Sequence, residues 1–211
     1  NCGKLQYLPK GLHSLSRLKS LSIGTFCEEL DSFPDFQVPS QLEELQLGGW
    51  PKLKSLSQPI QHSTSLTSLS ISHFGGVEAL PEWLGDLTSL TKLRISSCEN
   101  LRTLSGPGLP TPASLEEMSI QRCPNLEAIP SLDNLTSLTV LWINSCDGLT
   151  SIPSGLASCT ALTRLDVDGC DNLISLADHN LSSLQSLSYL CIINCGKLQY
   201  LPKGLHSLSR L

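Results

Sequence analysis

Several residue types are scarce in this sequence, and each shortage excludes a class of protein or a kind of core. Aromatic side chains make up 5% of the 211 residues and Met118 is the only methionine, so the core has to be built from stacked leucines. No apolar run reaches the ~18–20 residues that a membrane span needs, and no charged and then apolar leader opens the chain. The 14 basic residues are outnumbered by 19 acidic ones, and the resulting net charge of −5 argues against a nucleic-acid-binding surface. We therefore expect neither membrane nor nucleic acid as a partner.

Recognisable catalytic and metal-binding motifs are also lacking. None of the five histidines belongs to an H-E-x-x-H or comparable motif. Asp166 and Asp168 lie two residues apart, but two carboxylates are too few to argue for a cation site. Nothing positions a Ser/His/Asp triad. The sequence therefore predicts a protein that is not an enzyme, with no catalytic residue, metal site or cofactor. The histidines are His13, His62, His73, His179 and His206.

Cysteine, in contrast, is abundant. The chain has nine cysteines, an odd number that does not suit a disulfide-bonded scaffold. Most of them occupy one place in the repeat described below, and a row of equivalent thiols is expected to be reduced, which favours a cytoplasmic protein. Two glycosylation triplets, Asn134-Leu-Thr and Asn180-Leu-Ser, would instead suit an extracellular one. Because such triplets arise by chance in a chain rich in serine and threonine, the cytoplasmic prediction is retained.

One phrase, L-x-x-L-x-I-x-x-C-x-x-L-x-x-L-P, recurs along the whole chain. Its first leucine returns at steps of 24, 24, 24, 25, 23, 24, 25 and 24 residues. These leucines are Leu18, Leu42, Leu66, Leu90, Leu115, Leu138, Leu162, Leu187 and Leu211. A repeat of this length buries its apolar side chains only against its neighbours. We therefore predict one domain over residues 1–211, with about eight 24-residue repeats and partial repeats at both ends.

Each repeat combines a short strand with a return segment. In the stretch LTKLRIS, Leu93 and Ile95 are two residues apart, as the inward positions of a strand are. Behind the strand, Leu101 and Leu104 are expected to turn inward and fill the other side of the coil. The stretches EWLGDLTS and SGLASCTA are expected to bring the chain back through one helical turn. Prolines that suit an extended return segment follow the last apolar position, at Pro81, Pro130, Pro153 and Pro202.

The ninth position of the repeat holds cysteine in most units and an aromatic ring in the first three full ones. A thiol tolerates burial well. A spacing of about 24 residues places these thiols side by side, roughly one strand separation apart, and not in a tetrahedral zinc cluster. We therefore interpret them as structural. The cysteines are Cys98, Cys123, Cys146, Cys170 and Cys195, with Cys2 in the leading partial repeat, and the rings are Phe26, Trp50 and Phe74.

The phrases LRISSCENLRTL, MSIQRCPNLEAIP and LWINSCDGLTSIPSGLASCTAL resemble the leucine-rich repeats of plant intracellular nucleotide-binding disease resistance proteins. The resemblance implies an α/β fold, a leucine-rich repeat solenoid or horseshoe. A parallel β-sheet would form its concave face, and mostly irregular or short helical segments its convex face. It also implies a non-catalytic recognition module of an innate immune receptor, which binds a pathogen effector or a host protein and restrains the receptor. The family's G-x-x-x-x-G-K-[ST] nucleotide-binding loop does not occur in this sequence.

Outward positions between the inward leucines form the predicted binding surface. Their character changes along the chain, from small and polar side chains near the N-terminus to Arg, Trp, Tyr and Asp near the C-terminus. Trp, Tyr and Arg dominate many protein interfaces. The alternative is that Trp142 lies across neighbouring serines and that the charges are merely solvated. The predicted protein-binding residues, called the candidate patch below, are Arg94, Arg122, Trp142, Asn144, Arg164, Asp166, Asp168 and Tyr189.

The first eighteen residues, NCGKLQYLPKGLHSLSRL, return unchanged at positions 194–211. A natural duplication in a longer gene and a deliberate closure of the sequence both fit this identity, and the absence of an initiator methionine suits either. Neither end carries a visible polar cap, which solenoids usually need. We therefore predict head-to-tail self-association, a contact that builds rings or fibres. The residues predicted at this end-to-end contact are Leu5, Leu8, Leu12, Leu208 and Leu211.

Two other functions remain open on the sequence alone. An extracellular leucine-rich repeat inhibitor or receptor ectodomain would be indicated by glycan on Asn134 or Asn180, or by paired cysteines. In an engineered or structural self-assembling scaffold, the duplicated ends would serve assembly. A measurement of the size of the protein in solution would distinguish this scaffold from a recognition module. The leading prediction is a module whose partner is another protein or another domain of its parent receptor.

Overall fold

The structure is a computed structural model, and it describes most of the 211 residues. The described ranges are 7–8, 11–24, 37–49, 52–54, 56, 58–104, 112–176 and 180–211. Phe26, Trp50, Cys2, Leu5 and His179, which the sequence analysis singled out, lie outside them.

The described residues form eight strands, one in each successive repeat. They make a single parallel sheet in which every strand pairs with the strands of the adjacent repeats, in the order β1 to β8. The strands are β1 Ser20–Ile23, β2 Glu44–Gly48, β3 Ser68–Ser72, β4 Lys92–Ser96, β5 Glu117–Gln121, β6 Val140–Asn144, β7 Arg164–Asp168 and β8 Tyr189–Ile193. The predicted leucine-rich repeat solenoid with a parallel sheet is therefore confirmed.

The sheet register places equivalent residues of successive repeats side by side. Leu93 of β4 lies opposite Leu69 of β3 and Met118 of β5, and Ile95 extends a second inward row in the same way. These inward side chains are almost completely buried. Each fully buried aliphatic side chain contributes roughly 1.5–3 kcal/mol to folding before entropy is counted. The core therefore consists of continuous rows of leucine and isoleucine that run from one repeat to the next.

The segments that return the chain behind the sheet are mostly irregular, with short 3₁₀ helices among the described residues. Pro81 has an extended backbone, with φ −72° and ψ 151°, and the helix Glu82–Asp86 follows it directly. Leu101 and Leu104 are buried behind the strands, as predicted. Within the described ranges, no helix has the length and the apolar character to span a bilayer. The 3₁₀ helices are Leu12–Ser14, Gln58–His62, Glu82–Asp86, Leu156–Ser158 and Leu205–Ser207.

A left-handed backbone turn follows most of the strands, and the sequence did not predict it. Arg122, directly after β5, has φ +52°, and its N–H donates to the carbonyl of Asn144 in the next repeat at 2.8 Å. A backbone N–H of the turn residue donates to a carbonyl of the next repeat at the equivalent positions of other repeats as well. This hydrogen bond offsets the energetic cost of the positive φ. Residues with positive φ at this position are Gly49, His73, Ser97, Arg122, Ser145, Gly169 and Asn194.

The ninth-position side chains lie in the core, as predicted. Phe74 and the cysteines from Cys98 to Cys170 are buried, whereas Cys195 in the last repeat is half-buried. The thiol of Cys123 donates to the carbonyl of Gln121 at 3.4 Å, two residues earlier in the chain. Each thiol thus satisfies a carbonyl at the end of its own strand, which agrees with a structural role.

Side-chain hydrogen bonds join neighbouring repeats at two further positions. Before the strands, the Thr163 hydroxyl donates to the carbonyl of Thr139 at 3.0 Å. Behind the cysteines, the Asn125 amide donates to the carbonyl of Glu99 at 2.8 Å. Because each bond crosses from one repeat to the one before, both rows stabilise the stacking. Asparagines that make the bond behind the cysteines are Asn100, Asn125 and Asn172.

The asparagine row supports a first stability prediction. Asn125→Ala leaves the carbonyl of Glu99 without its amide donor, and we expect the free energy of unfolding to fall by about 0.5–1.5 kcal/mol. The matched control is Asn134→Ala, because Asn134 is exposed and makes no hydrogen bond within the described ranges. Urea unfolding followed by circular dichroism measures both. Equal stability losses in the two variants would contradict a role for this bond.

Candidate functional site

The open face of the sheet divides into two halves of different character. In its N-terminal half, small and polar side chains leave a shallow concavity of about 500 Å³. In its C-terminal half, large side chains from β6, β7 and β8 lie next to one another because the register aligns Val140, Arg164 and Tyr189 across three strands. The residues that line the concavity include Ser22, Gly24, Gln46, Gly48, Ser72 and His73.

Arg164 is the centre of the C-terminal half. Its Nη2 donates to Asp166 Oδ2 at 2.8 Å, and its guanidinium carbon lies 4.0 Å from the centroid of the Tyr189 ring. The hydrogen bond to Asp166 raises the pKa of Arg164. A carboxylate on one side and an aromatic face on the other hold the guanidinium in place, so Arg164 presents a fixed positive charge.

Asp168 lies at the end of the same strand and is held by amides. Asn144 Nδ2 donates to Asp168 Oδ2 at 3.0 Å, and Asn194 Nδ2 donates to Asp168 Oδ1 at 2.8 Å. The Ser145 hydroxyl in turn donates to Asn144 Oδ1 at 3.0 Å. Three adjacent repeats thus fix one half-buried carboxylate. Sequence reasoning missed Asn194, whose only signal is its place in the turn after β8.

Trp142 lies between two buried polar residues on the open face. The register places it beside Ser119 on β5 and Asp166 on β7. Its own exposure is 39%, whereas that of Asp166 is 6%. Asp166 was predicted to be an exposed contact residue, and that prediction is wrong: the carboxylate lies under its neighbours and binds Arg164. Its role is therefore to position Arg164, while Trp142 and Tyr189 offer the apolar surface.

Two arginines of the candidate patch lie apart from this group. Arg94 is on β4 and uses Nε and Nη2 to bind Glu117 Oε1, at 3.1 and 2.8 Å. Arg122 is exposed in the turn after β5 and makes no salt bridge within the described ranges. The structure thus brings together Trp142, Asn144, Arg164, Asp168 and Tyr189 as one surface, with Arg122 at its border.

The thiol, imidazole and carboxylate groups of the described residues are the remaining groups that could bind a metal or react. No group of three or more His, Cys, Asp or Glu side chains among these residues is arranged to hold a metal ion. The described cysteines are free thiols, and burial raises the pKa of Cys159 and of Cys170 to about 11. Since the thiolate is the reactive form, these two thiols are almost entirely in the unreactive, protonated form at neutral pH.

The thiols support a second prediction. At pH 7.5, N-ethylmaleimide is expected to modify half-exposed Cys191 at least about tenfold faster than buried Cys170. Burial raises the pKa of both thiols, so the difference comes from the access of the reagent to Cys191 in the folded protein. Mass spectrometry of the digested protein measures labelling at each site. In 8 M urea, as a control, the two rates should become similar. Equal rates in the folded protein would contradict the buried row of thiols.

Comparison with known proteins decides the family. The family model described as R13L1/DRL21 LRRs matches residues 51–122. Disease resistance protein RML1A of Arabidopsis thaliana is 30% identical over 155 residues, which are 74% of this chain and 15% of that protein. Disease resistance protein RPP4 of the same plant is 28% identical over 228 residues, which cover 98% of this chain and 19% of that protein. The chain is a leucine-rich repeat region of the plant disease resistance type.

The solved structures agree with the fold of this leucine-rich repeat region. The leucine-rich repeat domain of the type III effector XCV3220 (XopL) superposes with a TM-score of 0.60, at 24% identity, over 95% of this chain and 74% of that one. At that identity the likeness shows the fold alone. Because the chain spans less than a fifth of the length of the two Arabidopsis relatives, the comparisons support a protein-interaction module of plant immunity and nothing finer.

Proposed function

We propose that this leucine-rich repeat region recognises a protein partner through the C-terminal half of its open sheet face. The observation that carries the proposal is the surface formed by Trp142, Arg164 and Tyr189 on three adjacent strands. Trp142 lies in the middle of β6. Its side chain is large and mostly apolar, as core side chains are, yet it points away from the core. A partner that covers it gains about 25 cal/mol for each Å² of apolar area removed from water.

The polar groups around Trp142 make the surface selective. Arg164 is held by Asp166 and Tyr189, and Asp168 is held by Asn144 and Asn194. Side chains fixed before binding lose less conformational entropy when a partner docks. A fixed cation and a fixed anion on either side of exposed aromatic rings favour a partner with a matching pair of charges around an apolar side chain.

The parent protein supplies the biological setting of the proposal. In a resistance protein, the partner of this surface would be a pathogen effector or a host protein, or another domain of the same receptor that the repeats restrain. We also propose a cytoplasmic location. The proposal assigns the chain no catalytic step and no cofactor.

A differential capture experiment tests the proposal. The tagged chain, the double variant Trp142→Ala/Arg164→Ala and the control Ser22→Ala/Gln46→Ala are expressed in leaf tissue, and co-purified proteins are quantified by mass spectrometry. We expect the patch variant to lose at least one captured protein by about tenfold or more, because hot-spot truncation costs ≥ ~2 kcal/mol. The control variant, altered in the N-terminal half of the same face, should retain that protein. An unchanged set of proteins with the patch variant would refute the proposal.

The extracellular alternative makes a different prediction. Asn134 and Asn180 are both exposed, so both triplets are accessible to glycosylation in a secreted protein. A mass shift that is removed by peptide-N-glycosidase, after expression in plant cells from the parent gene, would support that alternative. An unmodified chain would agree with the cytoplasmic proposal.

A further inference from the structure

Two salt bridges lie on the open face of the sheet, and in both of them the arginine is more exposed than its carboxylate. The side chain of Arg94 is 50% exposed, whereas that of Glu117 is 25% exposed. The side chain of Arg164 is 44% exposed, whereas that of Asp166 is 9% exposed. The open face therefore presents the positive partner of each pair to solvent.

The other salt bridges of the described residues do not share this arrangement. Arg102 and Glu127, in the segments that return the chain behind the sheet, are 63% and 64% exposed, and their atoms are also 2.8 Å apart. Lys19 and Glu43, which precede β1 and β2, are 56% and 47% exposed. Because the two charges of each of these pairs meet solvent about equally, neither pair favours a ligand of one sign.

The remaining exposed charges of the same region are also positive. From β4 to β7, counting each strand and the turn residue after it, Lys92 and Arg122 are exposed, and neither makes a salt bridge within the described ranges. These positions hold no exposed carboxylate, since Asp168 is half-buried and accepts hydrogen bonds from two amides. Exposed Glu116 precedes β5, outside them. This part of the face is thus positive although the chain carries a net charge of −5.

The two paired arginines retain hydrogen-bond donors for a ligand. A guanidinium carries N–H groups on Nε, Nη1 and Nη2. Arg94 uses Nε and Nη2 to bind Glu117, and Arg164 uses Nη2 to bind Asp166. Within the described residues, Nη1 of both arginines makes no hydrogen bond. A partner carboxylate is the ligand that suits these N–H groups, since arginine binds carboxylates with strong, directional hydrogen bonds.

The spacing of the two arginines fits one extended segment that crosses the strands. Arg94 lies on β4, Trp142 on β6 and Arg164 on β7. Strands of a sheet are about 4.8 Å apart, so β4 and β7 are separated by roughly 14 Å. An extended chain rises about 3.3 Å per residue and turns alternate side chains to one side. Residues i, i+2 and i+4 of such a segment therefore face the sheet together and span roughly the distance between the arginines.

We infer that the partner binds this face with an extended acidic segment, in which residues i and i+4 are Asp or Glu and residue i+2 is apolar. The two carboxylates bind Arg94 and Arg164, and the apolar side chain packs on Trp142. The inference rests on the proposed function and names the chemistry of the partner at the same surface. Carboxylates of a protein suit a chain of net charge −5 better than the phosphates of a nucleic acid.

Peptide display against the immobilised 211-residue chain tests the inference. We expect the selected peptides to be enriched in pairs of acidic residues at i and i+4 with an apolar residue at i+2. Fluorescence anisotropy of a labelled selected peptide then measures the dissociation constant. Arg94→Ala and Trp142→Ala should each raise it by about tenfold or more. The matched control Arg102→Ala also breaks a salt bridge of 2.8 Å but should leave it unchanged. Circular dichroism checks that each variant is folded.

Changes in the peptide identify the contact of each arginine. Replacing one of the two acidic residues by its amide should weaken binding to the wild type about tenfold and cause no further loss with Arg94→Ala, because the two changes remove the same interaction. Peptides that depend on Trp142 but lack the acidic pair, or that bind Arg94→Ala as tightly as the wild type, would overturn the inference and leave the proposed function standing.

Two other results would also count against the inference. Peptides that bind Trp142→Ala as tightly as the wild type would overturn both the acidic segment and the proposed surface. A library that yields no binding peptide would overturn the extended segment alone, because the capture experiment would still decide whether the surface recognises a folded partner.

Discussion

Leu141→Ala is expected to lower the free energy of unfolding by about 2–5 kcal/mol. Leu141 is fully buried at the centre of β6, and the register places Met118 on one side of it and Leu165 on the other. Truncation removes three carbon atoms from a continuous apolar row and leaves a cavity that the two flanking repeats cannot easily fill. Chemical denaturation followed by circular dichroism measures the loss.

The matched control for this prediction is Leu190→Ala. Leu190 occupies the same position in β8 but is only half-buried. With one neighbouring repeat in place of two, less apolar area is lost to water, and we expect no more than about half the effect of Leu141→Ala. A loss at Leu190 that equals or exceeds the loss at Leu141 would show that burial does not depend on neighbouring repeats.

Gly155→Ala is expected to have an effect of similar size. Gly155 precedes the 3₁₀ helix Leu156–Ser158 with φ +77°, a backbone conformation that costs an alanine about 1–2 kcal/mol. A Cβ atom there would also lie 2.6 Å from Asp133 Oδ1 and clash with the Asp133 backbone nitrogen. Overpacking of this kind adds about 1–3 kcal/mol. The summed loss should be visible as a lower urea midpoint.

Gly169→Ala separates the cost of the positive φ from the cost of the steric clash with Asp133 at Gly155. Gly169 also has positive φ, +64°, but the nearest atom to its Cβ would be Ser145 Oγ at 3.4 Å, an ordinary contact. Other repeats carry Ser145 or Asn194 at this position with similar φ. We therefore expect Gly169→Ala to cost only the conformational part, about 1–2 kcal/mol. If the two glycine substitutions were equally costly, close packing between Gly155 and the preceding repeat would be refuted.

The fold was largely predictable because the same pattern of apolar residues recurs in eight successive repeats. Each strand has its apolar residues two apart, so Leu93 and Ile95 point inward in β4, and a constant spacing aligns them with their equivalents in register. The left-handed turns were not predictable, since His73, Ser97 and Arg122 share no chemical type. Their conformation depends on a backbone hydrogen bond to the next repeat, which no side chain encodes.

The candidate patch was predictable in position but not in organisation. Alternation along the strands correctly placed Trp142, Arg164 and Tyr189 on one surface. It could not reveal that Asp166 is buried beneath that surface, because its burial depends on how its large neighbours lie across the sheet. The amide pair around Asp168 was equally hidden, since Asn194 reaches it from a repeat 26 residues away.

The central claim is that the apolar side chains of each repeat are buried by the adjacent repeats. A crystal structure of the chain tests it most directly through the positions of Met118, Leu141 and Leu165. The account predicts three parallel strands with these side chains buried in a single row, in the register Met118 to Leu141 to Leu165. Strands that alternate in direction, or any of these three side chains exposed to solvent, would contradict it.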